Sequence, residues 1–264
     1  MSPLHKYLNQ IFHEAEKYAD KAVKGFDPDD IHKMRVALKK IQAAFYFEQF
    51  YLPQLDEDEM KKSKKIFGEA GKIRELQLVR DAIKNFNNSQ EEMKETVLDD
   101  LRREEKKAKK KFHDHFQDAG KNALRGLRKT MVGEAKKLTG ADFKLYFQSV
   151  LEAIRIQIHT AQSEKDYHQV RKQLKELKYN LRFADEDSKQ MVSAVFPEKE
   201  LSKLEEDLGN WHDQVIIVLW IQKLSKTGNA DENLEAFYSS IEDSSQKKAD
   251  AMLRDIRRRL EKKE

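Results

Sequence analysis

The sequence predicts an all-α protein built from two similar halves, and three observations carry that expectation. Apolar residues recur at i, i+3, i+4 and i+7 along nearly the whole chain, and no stretch alternates long enough for a strand. Of the 264 residues, 37% are charged and 39% hydrophobic, with only nine glycines and four prolines, a profile that favours long, surface-rich helices. Two short segments of the first half also return, in the same order, in the second.

Taken in chain order, the apolar period places a first helix at residues 4–24. "GFDPDD" then supplies Asp27 as an N-cap, Pro28 at the first helical position, and Asp29 and Asp30 in the first turn, where carboxylates suit the helix dipole. The second helix runs from Pro28 to about Tyr51 and stops before Pro53. The same period gives helices near 57–86, 90–117 and 121–138, then 141–162, 165–185, 199–225 and 230–262. Clustered Gly120, Gly126, Gly133 and Gly140 mark the join between halves, which we set at 1–134 and 135–264. About four helices per half suit an antiparallel four-helix bundle with short connections, and two such bundles are expected to meet about a pseudo-twofold axis.

Composition narrows the function classes. The 51 basic and 47 acidic residues leave a formal charge of only +4, so what matters is whether the basic residues share a face. With no cysteine, disulfides and thiolate metal sites are excluded. The opening "MSPLHKYLNQIFHEAEKYAD" has charges every few residues, and no stretch approaches the roughly 20 apolar residues of a membrane span. The expectation is a soluble, cytoplasmic protein with no membrane partner.

The repeat is the most informative feature. "IHKMRVALKKIQ" returns as "YHQVRKQLKELK", matching His32 to His168, Arg35 to Arg171, Leu38 to Leu174, Lys39 to Lys175 and Ile41 to Leu177. Downstream, "AGKIRELQLV" matches "LGNWHDQVII", with Gly71 on Gly209, Arg74 on His212 and Glu75 on Asp213. On a helix, positions 32, 35, 39 and 42 share one face, as do 168, 171, 175, 178 and 182. The first set reads His32, Arg35, Lys39, Gln42; the second reads His168, Arg171, Lys175, Lys178, Arg182. Met34, Leu38, Ile41 and Phe45, with Val170, Leu174, Leu177 and Leu181, form the opposite, core-facing sides. Like charges at i,i+4 weaken a helix by a few tenths of a kcal/mol, about 0.2–0.5 per pair, so two registered stripes point to a compensating anion.

These segments resemble the CHAD family, the conserved histidine α-helical domain: H-x-x-R-V-x-L-K-K-I in the first half, H-x-x-R-K-x-L-K-x-L-K-Y in the second, and L-G-x-x-x-D ahead of an apolar helix. The resemblance spans about residues 4 to 260. It implies two pseudosymmetric four-helix bundles with a basic central surface that binds inorganic polyphosphate, no cofactor, and recruitment to polyphosphate granules. By the same resemblance, His32, Arg35, Lys39, His168, Arg171, Lys175 and Lys178 bind phosphate; Arg182, from the shared helical face, and Arg74, from the second motif, complete the candidate set. Arg74-Glu75 stands where the family commonly has Arg-Asp, the second copy reads His212-Asp213, and Gln42 replaces a position often basic, so Arg74, Gln42 and His212 are the weaker candidates. Polyphosphate offers roughly one charge per unit and no base to read, so its binder needs repeated Lys and Arg and little else. Histidine adds charge only when protonated, which predicts weaker binding as pH rises through its titration range.

Other features compete less well. "LRREEKKAKKKFHDHF" is read as an exposed face using short-range ion pairs, although its basic character keeps nucleic acid as an alternative partner, as do Lys61, Lys62, Lys64 and Lys65. His113 and His115, at i,i+2, point to different helix faces and make a poor metal site. Trp211 and Trp220 read as core. No phosphate loop, Ser/His/Asp arrangement or H-E-x-x-H motif is present. CHAD domains often accompany a triphosphate tunnel enzyme domain, whose strands this chain has no room for. The expectation is a stand-alone, non-catalytic binding module; an enzyme acting on polyphosphate or nucleotides, and a nucleic-acid-binding or scaffold protein, are the rivals.

Overall fold

Ser2 accepts a hydrogen bond from the His5 amide and Pro3 follows it, which starts α1 (Pro3–Gly25). The chain reverses through Phe26, at φ 53° in the left-handed region, and Asp27 then accepts from the Asp29 and Asp30 amides to open α2 (Pro28–Tyr51), with the bounds the sequence predicts. The computed structural model describes residues 2–55, 57–86, 90–138, 143–227 and 231–261. Among these, ten α-helices and no strands occur, so the all-α expectation holds. No helix is long and apolar enough to cross a membrane.

The remaining helices are α3 (Asp58–Lys84), α4 (Glu91–His115), α5 (Lys121–Glu134), α6 (Phe143–Thr160), α7 (Glu164–Asn180), α8 (Glu186–Val195), α9 (Glu198–Thr227) and α10 (Glu232–Glu261). Three differences from the expected spans have physical causes. The break expected after residue 117 is a π-helical turn, Phe116–Gly120, that carries α4 into α5. The helix expected over 121–138 tightens to a 3₁₀ turn after Glu134. Most consequentially, α7 ends at Asn180 instead of 185, and α8, which sequence reading missed, begins behind an Asp185 cap that accepts from the Ser188 amide. Gly140, one of the glycines used to mark the join between halves, lies outside the described residues.

Two contact units interleave along the chain: residues 1–71 with 111–205, and 72–110 with 206–264. In the first, α1 packs on α2 and α5, α2 on α7, and α6 on α7 and α8. Its core holds Phe12, Phe45, Phe47, Phe147 and Phe183, all fully buried. Phe47 sits at a ring-centroid distance of 4.8 Å from each of Phe143, Tyr146 and Phe183 in edge-to-face geometry, arrangements that each contribute about 0.5–1.5 kcal/mol beyond area burial. Glu48 on α2 is also fully buried; burial, with a smaller contribution from Glu134, pushes its carboxyl up to about 9, so it is neutral at physiological pH. In the second unit, Leu76, Val79, Leu98, Leu101, Trp211, Trp220, Phe237 and Ile241 are buried, which makes both tryptophans core residues.

Candidate anion-binding site

The basic stripe of α2 and that of α7 belong to the same contact unit, on helices that pack together. A buried polar bond fixes their register: the Asn180 side-chain amide at the end of α7 donates to the Ala43 carbonyl of α2 at 3.1 Å and to the Tyr146 hydroxyl of α6 at 2.8 Å. Leaving such a buried amide unpaired costs about 1–3 kcal/mol, so the two helices are tied at this point. α7 itself starts firmly, since Ser163 and Asp166 cap it reciprocally.

On α2, Arg35 Nη1 donates to the Phe67 carbonyl of α3 at 2.9 Å, and the guanidinium lies 4.3 Å from the centroid of the Phe67 ring. The Lys39 ammonium lies over the same ring at 5.6 Å. Phe67 thus holds both cations by its negative face. Lys39 has no carboxylate within ion-pair distance among the described residues. Burial, then the like charges of Lys175, Arg171 and Arg35, drive its ammonium down to about 6, against a smaller opposing effect of Glu205. Burial therefore acts first, and the three neighbouring cations of α2 and α7 add to it, in disfavouring the charged form of Lys39.

On α7, Arg171 is 9% exposed. Lys175 and Lys178 both reach Glu205 of α9, at 2.7 and 3.1 Å. Burial alone raises the Glu205 carboxyl, but hydrogen bonds from Lys175 and Lys178 bring it below the ordinary range and keep it ionised. Tyr179 stands nearby, its hydroxyl pushed up to about 12 by burial and by Glu205, with Arg171 opposing. His168 is lowered to about 4, by burial first and then by Lys172, Arg171 and Lys39.

The chain matches the family model of the CHAD domain over residues 6–222. It belongs to the CHAD family. The crystal structure of the CHAD domain from the plant Ricinus communis is similar to it with a TM-score of 0.74 at 17% identity, covering 96% of this chain and 90% of that one. No curated protein matches the chain in sequence.

In this CHAD chain the expected residues separate. Arg35, Lys39, His168, Arg171, Lys175 and Lys178 lie on the two packed helices, whereas His32 is exposed in the first turns of α2. Arg182 is exposed in the turn after α7, because the helix that was to align it with Lys178 ends two residues earlier. Arg74 falls in the second unit. His168 carries no charge at neutral pH in the unliganded protein, so the expected histidine-driven weakening of binding is displaced to more acid pH. Sequence reading missed Phe67, Lys172, Tyr179 and Glu205; none has a local pattern that marks it.

The repeated glycine has a specific use in one copy. A Cβ on Gly71 would lie 2.6 Å from Arg35 Nη1, whereas one on Gly209 meets no heavy atom within 4 Å. Gly71→Ala is expected to push the guanidinium off the Phe67 carbonyl and weaken anion binding severalfold. Folding stability should hold or rise, since alanine is favoured over glycine in a helix by about 1 kcal/mol. Thermal melts beside binding titrations check this; unchanged affinity would contradict it.

Many charges of the other clusters are paired locally. On α4, Arg102 pairs with Asp99 and Glu95, Arg103 with Asp100, Lys107 with Glu104 and Lys109 with Glu105. On α3, Lys61 pairs with Asp58 and Lys62 with Glu59, while Lys64 lies over the Tyr46 ring. Gln42 donates to the Tyr46 hydroxyl at 3.1 Å. His115 pairs with Glu69 at 2.8 Å and His113 with Asp114; no group of three metal-ligating side chains converges among the described residues.

Proposed function

We propose that this CHAD chain binds inorganic polyphosphate without altering it chemically, through Arg35, Lys39, Arg171, Lys175 and Lys178, and that this binding recruits it to polyphosphate granules. The observation that carries the reading is the placement of cations on two packed helices: Arg35 and Lys39 over the Phe67 ring, and Lys175 and Lys178 on the single carboxylate of Glu205. A fold gains nothing from crowding cations in this way, and a polyanion laid along them reverses the repulsion. The link of the CHAD family to polyphosphate binding supplies the identity of the anion, and the short-range pairing of the α4 charges weakens the case for that helix as the main surface.

An arginine binds two phosphate oxygens at once and a lysine acts as a mobile point charge, so α2 and α7 offer both modes. With about five phosphates neutralised, the logarithm of affinity should fall with the logarithm of salt at a slope of about −3.5, taking the single-strand value of about −0.7 per phosphate. Titration of polyphosphate of defined length across a salt series, with DNA as competitor, tests the reading. Tight, salt-dependent binding that DNA displaces only at a large excess of phosphate is expected. Displacement by DNA at equal phosphate concentration would favour nucleic acid, and flat salt dependence would contradict the electrostatic account.

A further inference from the structure

We propose that Glu205 is a built-in competitor of the incoming anion, occupying Lys175 and Lys178 in the empty site and setting its affinity. The inference rests on the polyphosphate reading. Its basis is geometric. Lys175 and Lys178, one turn apart on α7, converge on a single carboxylate from a different helix, one ammonium on each oxygen: Lys175 Nζ at 2.7 Å from Oε1 and Lys178 Nζ at 3.1 Å from Oε2. That is how a pair of lysines holds a phosphate through two of its oxygens. The three side chains are 19–30% exposed, so the carboxylate has a route to water when displaced.

The α2 side of the site is built differently. Arg35 is oriented by a neutral carbonyl and an aromatic ring, and Lys39 by the same ring. The position matched to Lys178 is Gln42, which bonds Tyr46. The internal anion therefore lies where the second copy of the repeat carries its additional lysine. Glu205 also offsets the positive field at Lys39, which ties both sides of the site to this one carboxylate.

An anion that reaches Lys175 and Lys178 must exchange with Glu205. Removing the carboxylate charge while keeping its shape, Glu205→Gln, is expected to raise polyphosphate affinity about tenfold at low salt. It should also steepen the salt slope, since about one more phosphate is then neutralised. Glu205→Asp, which keeps the charge but shortens its reach, should fall between the wild type and the glutamine variant and tests the ordering should glutamine perturb folding. A glutamine variant that folds and binds as the wild type does, or more weakly, would overturn the inference and make Glu205 a residue that positions the lysines. Failure of the wild type to bind polyphosphate would instead overturn the function proposed above.

Discussion

Replacing Arg35 and Arg171 together by alanine is expected to weaken polyphosphate binding by a hundredfold or more while the protein stays folded. Each arginine can offer a charge-assisted, two-pronged contact to phosphate, and hydrogen bonds to charged groups are worth about 1.5–3 kcal/mol each. Two such losses correspond to about 10²–10⁴ in affinity. Folding should survive because both arginines act as like charges on Lys39, and removing them relieves repulsion at the same time as it removes packing. Arg171 is the more buried of the two, so Arg171→Gln paired with Arg35→Ala provides a variant that retains most of its volume. Circular dichroism and thermal melts establish the fold, and a titration gives the affinity. A folded double variant that binds as the wild type does would remove this site from consideration. Charge reversal at Lys109 and Lys110 on α4 should matter far less.

Binding at pH 7.5 is expected to draw in about one proton. Lys39 sits at about 6 in the empty site, so its amine is largely neutral at that pH, whereas a phosphate beside it restores the ammonium. The groups that face it are Arg35 of α2, Arg171 and Lys175 of α7 and Glu205 of α9, with His168 adding its proton only in more acid solution. Calorimetric titrations in buffers of different ionisation enthalpy measure the uptake. A slope of about one proton near pH 7.5 should vanish in Lys39→Met, and should diminish toward pH 5, where the lysine is already charged. The same group makes stability pH-dependent in the opposite sense to a salt-bridged lysine. Between about 6 and the ordinary lysine value of about 10.4, the unfolded chain holds more protons than the native one, so this residue's contribution to stability rises with pH across that window. An equal proton count in wild type and Lys39→Met would contradict the assignment.

Much of the frame was legible from local chemistry. Asp27, Pro28 and the following carboxylates are sufficient to set the start of α2, and Pro53 its end, because caps and proline act within one turn. The stripes on α2 and α7 were legible because helical spacing and the repeat both act along one segment. What escaped depends on partners distant in sequence. α7 stops at Asn180, whose amide is bound to Ala43 and Tyr146, and no residue near 180 announces those bonds. Arg182 was assigned to the stripe on the assumption of a longer helix. Phe67 and Glu205 enter from α3 and α9, and only tertiary packing makes the one a platform for Arg35 and Lys39 and the other an anion for Lys175 and Lys178. Burial, equally invisible in sequence, lowers Lys39 to about 6 and His168 to about 4, so neither is the simple cation that its residue type suggests.

The central claim is that α2 and α7 together form the phosphate-binding surface, and a structure of the protein with polyphosphate of defined length tests it most directly. The account predicts phosphate oxygens within hydrogen-bond distance of Arg35, Lys39 and Arg171, with Glu205 turned away from Lys175 and Lys178. A chain seated instead along the basic run of α4, with the Lys175–Glu205 and Lys178–Glu205 pairs intact, would contradict it.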